Sequence, residues 1–258
     1  MTRETARLAL RRSRLLPRTR NLAKRAWVRW DVALHRNDPS VRQWLPVFTG
    51  ARSGHIVVPS RALASSRGQT MDFVRHDLVH RGDRVLDVGA GNGRLAVGML
   101  EIGVSSYVGL EIDAGSVEHA THAFAGHPSV RFDLLDVHNP MYNPRGAQLP
   151  EEVTFPYGDG SFEFAAASSL YTHLERIEVV RRYVGETARV LAPRGAAFMS
   201  FFRSPPNPES ASAVRSAFAE AEITAAVEEH FVVEDVAGGS TTAFHDQWML
   251  YLRRRPVG

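Results

Sequence analysis

The chain of 258 residues contains no cysteine. That excludes a disulfide framework, a thiolate metal site and a thiol nucleophile. Lysine is nearly absent as well: of 31 basic residues only Lys24 is a lysine. Such an arginine bias accompanies GC-rich coding and gives the expectation of a bacterial source. No uncharged apolar run approaches the roughly 18 residues that span a bilayer. Arginines also interrupt every apolar stretch near the N-terminus, so no secretory signal is expected and the expected location is cytoplasmic. No internal repeat or low-complexity tract is present. A hydrophobic content of 44% with 23% charged residues suits a globular domain with one appendage.

The net charge of +3 hides a split. Residues 1–36 carry eleven basic residues against Glu4 and Asp31, a net +9, and the remaining 222 residues carry −6. The arm reads as one or two basic helical pieces broken near Pro17, with Leu22, Trp27, Trp30 and Leu34 sharing a face. Three readings stay open for it: packing on the domain or across a homodimer, peripheral contact with an anionic membrane, and a cleaved transit segment. Nucleic acid is not an expected partner, because no recognition motif accompanies the charge and the body is acidic.

Residues 37–66, with Pro39, Pro46, Gly50, Gly54 and Pro59, read as an irregular connector. MDFVRHDLVHRG reads as a short helix closed by Gly82. Strands RVLDVG, SYVGLEID, VRFDLLDV, SFEFAAASS and GAAFMSFF then alternate with helices RLAVGMLEIG, SVEHATHAFAG (ending at Gly126) and ERIEVVRRYVGETARVL. A helix over SASAVRSAFAEA and two closing strands, HFVVEDV and HDQWMLYLRR, complete the pattern. The expected fold is α/β, a doubly wound and mainly parallel sheet ending in an antiparallel hairpin. The expected division is 1–67 for the basic arm and connector, and 68–258 for the domain.

RVLDVGAGNGRLAV places an acid and three glycines between a buried strand and a helix. A glycine turn at a strand's carboxyl end lets backbone approach a ligand and frees amides at a helix start. The dinucleotide fingerprint is G-x-G-x-x-G. Here Gly89, Gly91 and Gly93 give G-x-G-x-G, Arg94 takes the place of the third fingerprint glycine, and Asp87 stands where an apolar residue is usual. Glu111, twenty residues after Gly91, ends the second strand, where a carboxylate can accept both hydroxyls of a ribose. Asp136 ends the third strand, placed to accept from an adenine amino group. Asp113 reads as a helix N-cap.

Over roughly residues 68–255 the chain resembles the class I S-adenosylmethionine-dependent methyltransferases, through VLDVGAGNGR, GLEID, LLDV, FPYGDGSFEF, ARVLAPRG and HDQWMLYLRR. YNPRG followed by SSLYTHL looks like a bacterial subgroup whose substrates are unassigned. The resemblance implies a seven-stranded sheet with the last strand antiparallel, and S-adenosylmethionine as cofactor. It implies that Asp87, Gly89, Gly91 and Gly93 hold the methionine end, Glu111 the ribose and Asp136 the adenine, with Ile112 and Val137 flanking the ring. Ala90 and Ser168 are counted with these contacts. Two positions depart from the pattern: Ala90, where many relatives carry cysteine, and Arg194 in LAPRG, where glycine is usual and the turn is expected to differ.

Methyl transfer is an in-line displacement in which positioning in a water-poor site supplies most of the acceleration. An oxygen acceptor must also lose its proton. His173, after the fourth strand, is the candidate base, with helix capping or packing as the competing role. Tyr142, Asn143 and Tyr171 are the candidate substrate contacts, and MYNPRG the covering loop. Asp136 and His138 are spaced to share a cation, but adenine claims Asp136 and no second acidic pair lies nearby, so no metal is expected. The expected function is O-methylation of a small molecule, saccharide or lipid-linked hydroxyl. The alternatives are a nicotinamide-dependent oxidoreductase and a non-catalytic cofactor-binding scaffold.

Overall fold

The computed structural model of the chain describes residues 17–49, 57–203, 217–238 and 247–256. A strand buried on both faces needs helices on both sides, and β1 (Arg84–Val88) is such a strand. Val85 joins one apolar cluster, while Leu86 and Val88 join another across the sheet. The same alternation recurs in β2 (Ser106–Glu111) and β4 (Phe162–Ala167), where Phe164 and Ala166 face one way and Ala165 and Ala167 the other. With β3 (Val130–Leu134), β5 (Leu191–Arg203), β7 (Phe231–Gly238) and β8 (Gln247–Arg254) they form a sheet of order β3-β2-β1-β4-β5-β8-β7. A two-residue β6 (Ala217–Phe218) pairs with the end of β5. Pairings from β3 through β5 are parallel, and β8 runs antiparallel to both β5 and β7. This is the expected sheet with its closing hairpin. Its strand order reverses between β1 and β4, the switch point at which ligands bind in open α/β sheets.

On the Leu86 and Val88 face lie α5 (Ile177–Val190) and α6 (Glu220–Glu228). On the Val85 face lie α2 (Pro59–Arg75), α3 (Arg94–Ile102) and α4 (Ala114–Ala123), joined by Val41, Trp44, Val47 and Phe48 of two single-turn segments. Asp113 caps α4, accepting from Ser116 N–H at 2.9 Å. α1 (Pro17–His35) precedes them all and starts on the proline where a break was expected.

Several expectations need correction. The helix read as residues 71–82 is α2, which begins at Pro59 inside the supposed connector and ends at Arg75. Its inner row of Ala62, Leu63, Ser66, Gln69, Thr70 and Phe73 is buried at helical spacing. Gly82 belongs to the turn before β1, not to a helix end, and α4 stops at Ala123 before Gly126. A boundary at 67/68 would cut α2. Residues 210–216 of SASAVRSAFAEA lie outside the described residues, and the helix there starts at Glu220.

The four-residue face expected in the arm is divided. Trp27, Asp31 and His35 form the inner row, with the Arg61 guanidinium 3.9 Å above the Trp27 ring. Asp31, 4% exposed, caps α2 from outside: Ser60 donates its N–H (3.0 Å) and its hydroxyl (2.6 Å) to the carboxylate. Trp30 and Leu34 sit one row over and point outward, and the Leu22 side chain lies outside the described residues. In the LAPRG turn Arg194 itself adopts the left-handed conformation, φ +63°. The left-handed residue usual for glycine is kept, at the strain of a side chain.

Candidate active site

Gly89, Gly91 and Gly93 follow β1 with φ of 77°, 56° and 79°, a region that L side chains rarely adopt. Two of them are also required by crowding. A Cβ at Gly93 would sit 2.6 Å from Phe132 Cζ, and one at Gly89 would sit 3.3 Å from Leu170 Cδ1. A Cβ at Gly91 would meet nothing within 4 Å. Gly91 therefore faces open space with its amide turned to the end of β2: Gly91 N–H donates to Glu111 Oε2 at 2.8 Å. Glu111 Oε1 accepts from Ile112 N–H (2.7 Å) and Asp113 N–H (3.0 Å). Ala90 is tucked beneath, opposite Gly109, where a Cβ would fall 2.9 Å from that of Ala90.

Asp87 is 4% exposed and lies below the loop, where Tyr107 donates its hydroxyl to Oδ2. Burial pushes the Asp87 carboxyl up to about 6, against the Tyr107 hydrogen bond and the positive charge of Arg94. Asp87 thus shapes the loop from underneath rather than presenting a carboxylate to the opening. Arg94 occupies the third fingerprint position for the same reason. Its guanidinium donates to Ser65 Oγ at 2.6 Å and Gln69 Oε1 at 3.5 Å. Gln69 in turn donates to Ser168 Oγ at 2.5 Å. The chain Arg94, Gln69, Ser168 ties the start of α3 to the end of β4 through α2, with the Arg94 charge acting on Asp87.

Beyond β3, Asp136 is exposed and accepts from Asn143 Nδ2 at 3.1 Å. The intervening loop is closed at its base: His138 N–H donates to Gln148 O, and Asn139 and Asn143 exchange backbone bonds of 2.9 and 3.0 Å. Asn139 Oδ1 also accepts from Met141 and Tyr142 N–H, both at 3.0 Å. This holds Tyr142 edge-on to His173, centroids 5.7 Å apart at 87°. Burial and the charges of Glu111 and Asp113 raise the pKa of the Tyr142 hydroxyl.

After β4, Ser169 takes φ +61° and is held there on several sides. Its N–H donates to Ser200 Oγ (2.8 Å), its carbonyl accepts from Thr172 Oγ1 (2.6 Å), and its hydroxyl meets the Gln247 amide. A strained residue this firmly held is a mark of a functional site. It turns Leu170 over Gly89 and leads into the 3₁₀ turn Tyr171–His173.

The glycines, Ala90, Glu111, Ile112, Asp136, Ser168, Tyr142 and His173 are thus gathered at the carboxyl ends of β1 to β4. Besides Asp87, three side chains expected to touch a ligand do otherwise. Tyr171 is buried, stacked on Phe201 with centroids 4.5 Å apart, and faces Thr187 of α5, so it packs the core. Val137 is 2% exposed and its side chain lies in the same core, leaving only backbone at the opening. The Asn143 amide is committed to Asp136. Gln69 and Tyr107 escaped the sequence reading. Only Arg94, noticed as a misplaced fingerprint residue, carried a signal of the network. Among the described residues, no three His, Asp or Glu side chains gather as metal ligands.

Residues 86–199, from β1 to the middle of β5, match the family described as a methyltransferase domain. That stretch carries the sequence pattern of a methyltransferase domain. The 27-O-demethylrifamycin SV methyltransferase of Amycolatopsis mediterranei (strain S699) is 30% identical over 128 residues, 49% of this chain but only 41% of that relative. The chain therefore spans less than half of the curated relative it matches. A methyltransferase from Methanosarcina mazei superposes with a TM-score of 0.55 at 16% identity, covering 72% of this chain and 98% of its own. The N-methyltransferase NodS from Bradyrhizobium japonicum WM9 gives 0.53 at 14%, covering 73% and 95%. At these identities the two structures share the fold. The residues present suit S-adenosylmethionine, the cofactor that the resemblance implies: open space at Gly91, an acid at the end of β2, and the exposed Asp136 carboxylate at the end of β3.

Proposed function

We propose that the chain methylates a hydroxyl of a small molecule or saccharide, with His173 as the base. The observation that carries this reading is the meeting of Tyr142 and His173 above the glycine loop, from two different strand ends. S-adenosylmethionine, when bound, supplies a methyl group made electrophilic by its sulfonium. Around it the chain's own residues position, shield and move a proton. Gly91 offers close backbone approach. Glu111 has roughly four lone-pair sites, three of them filled by Gly91, Ile112 and Asp113 N–H; its carboxylate would hold the ribose hydroxyls. Asp136 would receive the adenine amino group, and Ile112 would flank the ring. Leu170 closes the site over Gly89 and excludes water there. His173 accepts the acceptor's proton, its ring held by the edge contact to Tyr142. Asn143 acts as a positioning residue through Asp136. The exposed Met141 on the covering loop and Leu149 just beyond its base favour an acceptor with apolar surface. The Amycolatopsis relative, named for a substrate lacking a methyl group on an oxygen, supports a hydroxyl acceptor.

The first experiment is calorimetric titration with S-adenosylhomocysteine and, separately, NADH, on the wild type and on Glu111→Ala. Expected is micromolar affinity for the homocysteine product that Glu111→Ala weakens at least roughly tenfold. Binding of NADH alone would overturn the reading. Binding of the product with no turnover on any hydroxyl acceptor would point instead to the scaffold alternative.

A further inference from the structure

The outward row of α1 has no counterpart among the other described helices. Ala26, Trp30, Ala33 and Leu34 recur at i, i+4, i+7 and i+8 and are all exposed, Trp30 by 58% and Leu34 by 55%. Arg25, Arg29 and Arg36, also exposed, run along one flank. The helix contains a single acid, Asp31, and that acid is turned inward to Ser60. The outer face is therefore apolar at its centre, aromatic, cationic at its edge and free of negative charge. The inner face is already engaged, through Trp27 under Arg61 and through Asp31.

We propose that this face docks on an anionic lipid surface. A helix with an apolar row of Trp and Leu beside arginines lies in the interfacial plane, its apolar row at the acyl boundary and its cations against anionic headgroups. Tryptophan prefers that depth. A second copy of the chain is the poorer occupant, since face-to-face pairing of two such helices brings their arginine rows together. Nucleic acid would leave Trp30 and Leu34 without a use. The placement of α1 adds a consequence. α2 precedes β1 through a short turn and runs antiparallel to it, so its N-terminal end lies toward the carboxyl end of β1. Ser65 and Gln69 reach Arg94 and Ser168 at the level of the glycine loop, and the first turn of α2, where Asp31 holds α1, projects past that level. The docking helix thus sits on the side of the sheet where the cofactor loop opens. The inference does not depend on which acceptor is methylated.

The test is co-sedimentation of the full chain with vesicles of phosphatidylcholine alone and of phosphatidylcholine mixed with phosphatidylglycerol. The wild type is expected to pellet with the anionic vesicles and to be released by salt. The double variant Trp30→Glu, Leu34→Glu is expected to partition at least roughly tenfold less while keeping its thermal melt and its affinity for S-adenosylhomocysteine. As a second reading on the unaltered chain, brominated lipid is expected to quench tryptophan emission, and Trp30→Phe to remove most of that quenching. Absence of pelleting, or pelleting and quenching unchanged by these substitutions, overturns the proposal. So does a dimer that the double variant dissolves, which would give the face to a second copy.

Discussion

Asp87 keeps its charge at the expense of stability. Its carboxyl titrates near 6 in the fold against an ordinary value of 3.8, so the folded chain holds this proton more tightly than the unfolded one. The stability from this group is fully present below about pH 4 and is lost as pH rises through about 6, on a scale of about 3 kcal/mol. Urea melts of wild type and Asp87→Asn across that window are expected to move in favour of the asparagine as pH rises; a constant difference would mean that Arg94 keeps the carboxylate charged throughout. Arg194 offers a simpler case. Its left-handed backbone at φ +63° is the conformation glycine adopts without strain, and Arg194→Gly is expected to stabilise the chain by up to about 1 kcal/mol in the same melts. Gly195→Ala, beside it, is expected to destabilise, because the new Cβ would fall 2.9 Å from Ala192 O. At the site, His173→Gln is expected to lower kcat on a hydroxyl acceptor by about 10²-fold or more and to flatten the acid limb of its pH profile, with S-adenosylhomocysteine affinity unchanged. Loss of affinity instead would return His173 to a packing role.

At the scale of elements, the link between α1 and α2 is a helix cap supplied from another helix. Asp31→Ala removes both bonds to Ser60 and is expected to cost about 1–2 kcal/mol, read as faster amide exchange in α1 and in the first turn of α2. The same region shows where sequence patterns stop. β1, its glycine loop, Glu111 and the cap at Asp113 are local features: alternation, turn chemistry and spacing are all carried by neighbouring residues. α2 was misread because Ser65, Ser66 and Gly68 look like connector residues. Its small side chains are there for close packing on α3, where a Cβ at Gly98 would come 2.2 Å from Thr70 Oγ1. Ser66 also bonds both Arg94 O and Gly98 N–H. That need arises only once the two helices are side by side, and no periodicity announces it. The pairing of Gln69 with Ser168, 99 residues apart, is hidden for the same reason. Tyr171, two residues from His173, illustrates the opposite error: the motif is legible, but which side chains turn inward depends on the strained Ser169 before them.

At the scale of the molecule, the fold extends beyond the stretch that matches the family. Val41, Trp44, Val47, Phe48 and the buried row of α2 share one cluster with Val85, Phe164 and Phe198, and Asn92 of the glycine loop donates to Val47 O at 2.9 Å. Deletion of residues 1–67 is therefore expected to abolish the cooperative melt and expose dye-binding apolar surface, as circular dichroism and dye fluorescence of the truncated chain would read. The covering loop stands in contrast to this interdependence. Its base is zipped by the bonds between His138 and Gln148 and between Asn139 and Asn143, so its tip hangs from a closed ring rather than from the sheet. Residues at that tip can be exchanged, added or lost while β3 and β4 keep their register, which lets the choice of acceptor diverge between descendants of one gene far faster than the scaffold that binds the cofactor.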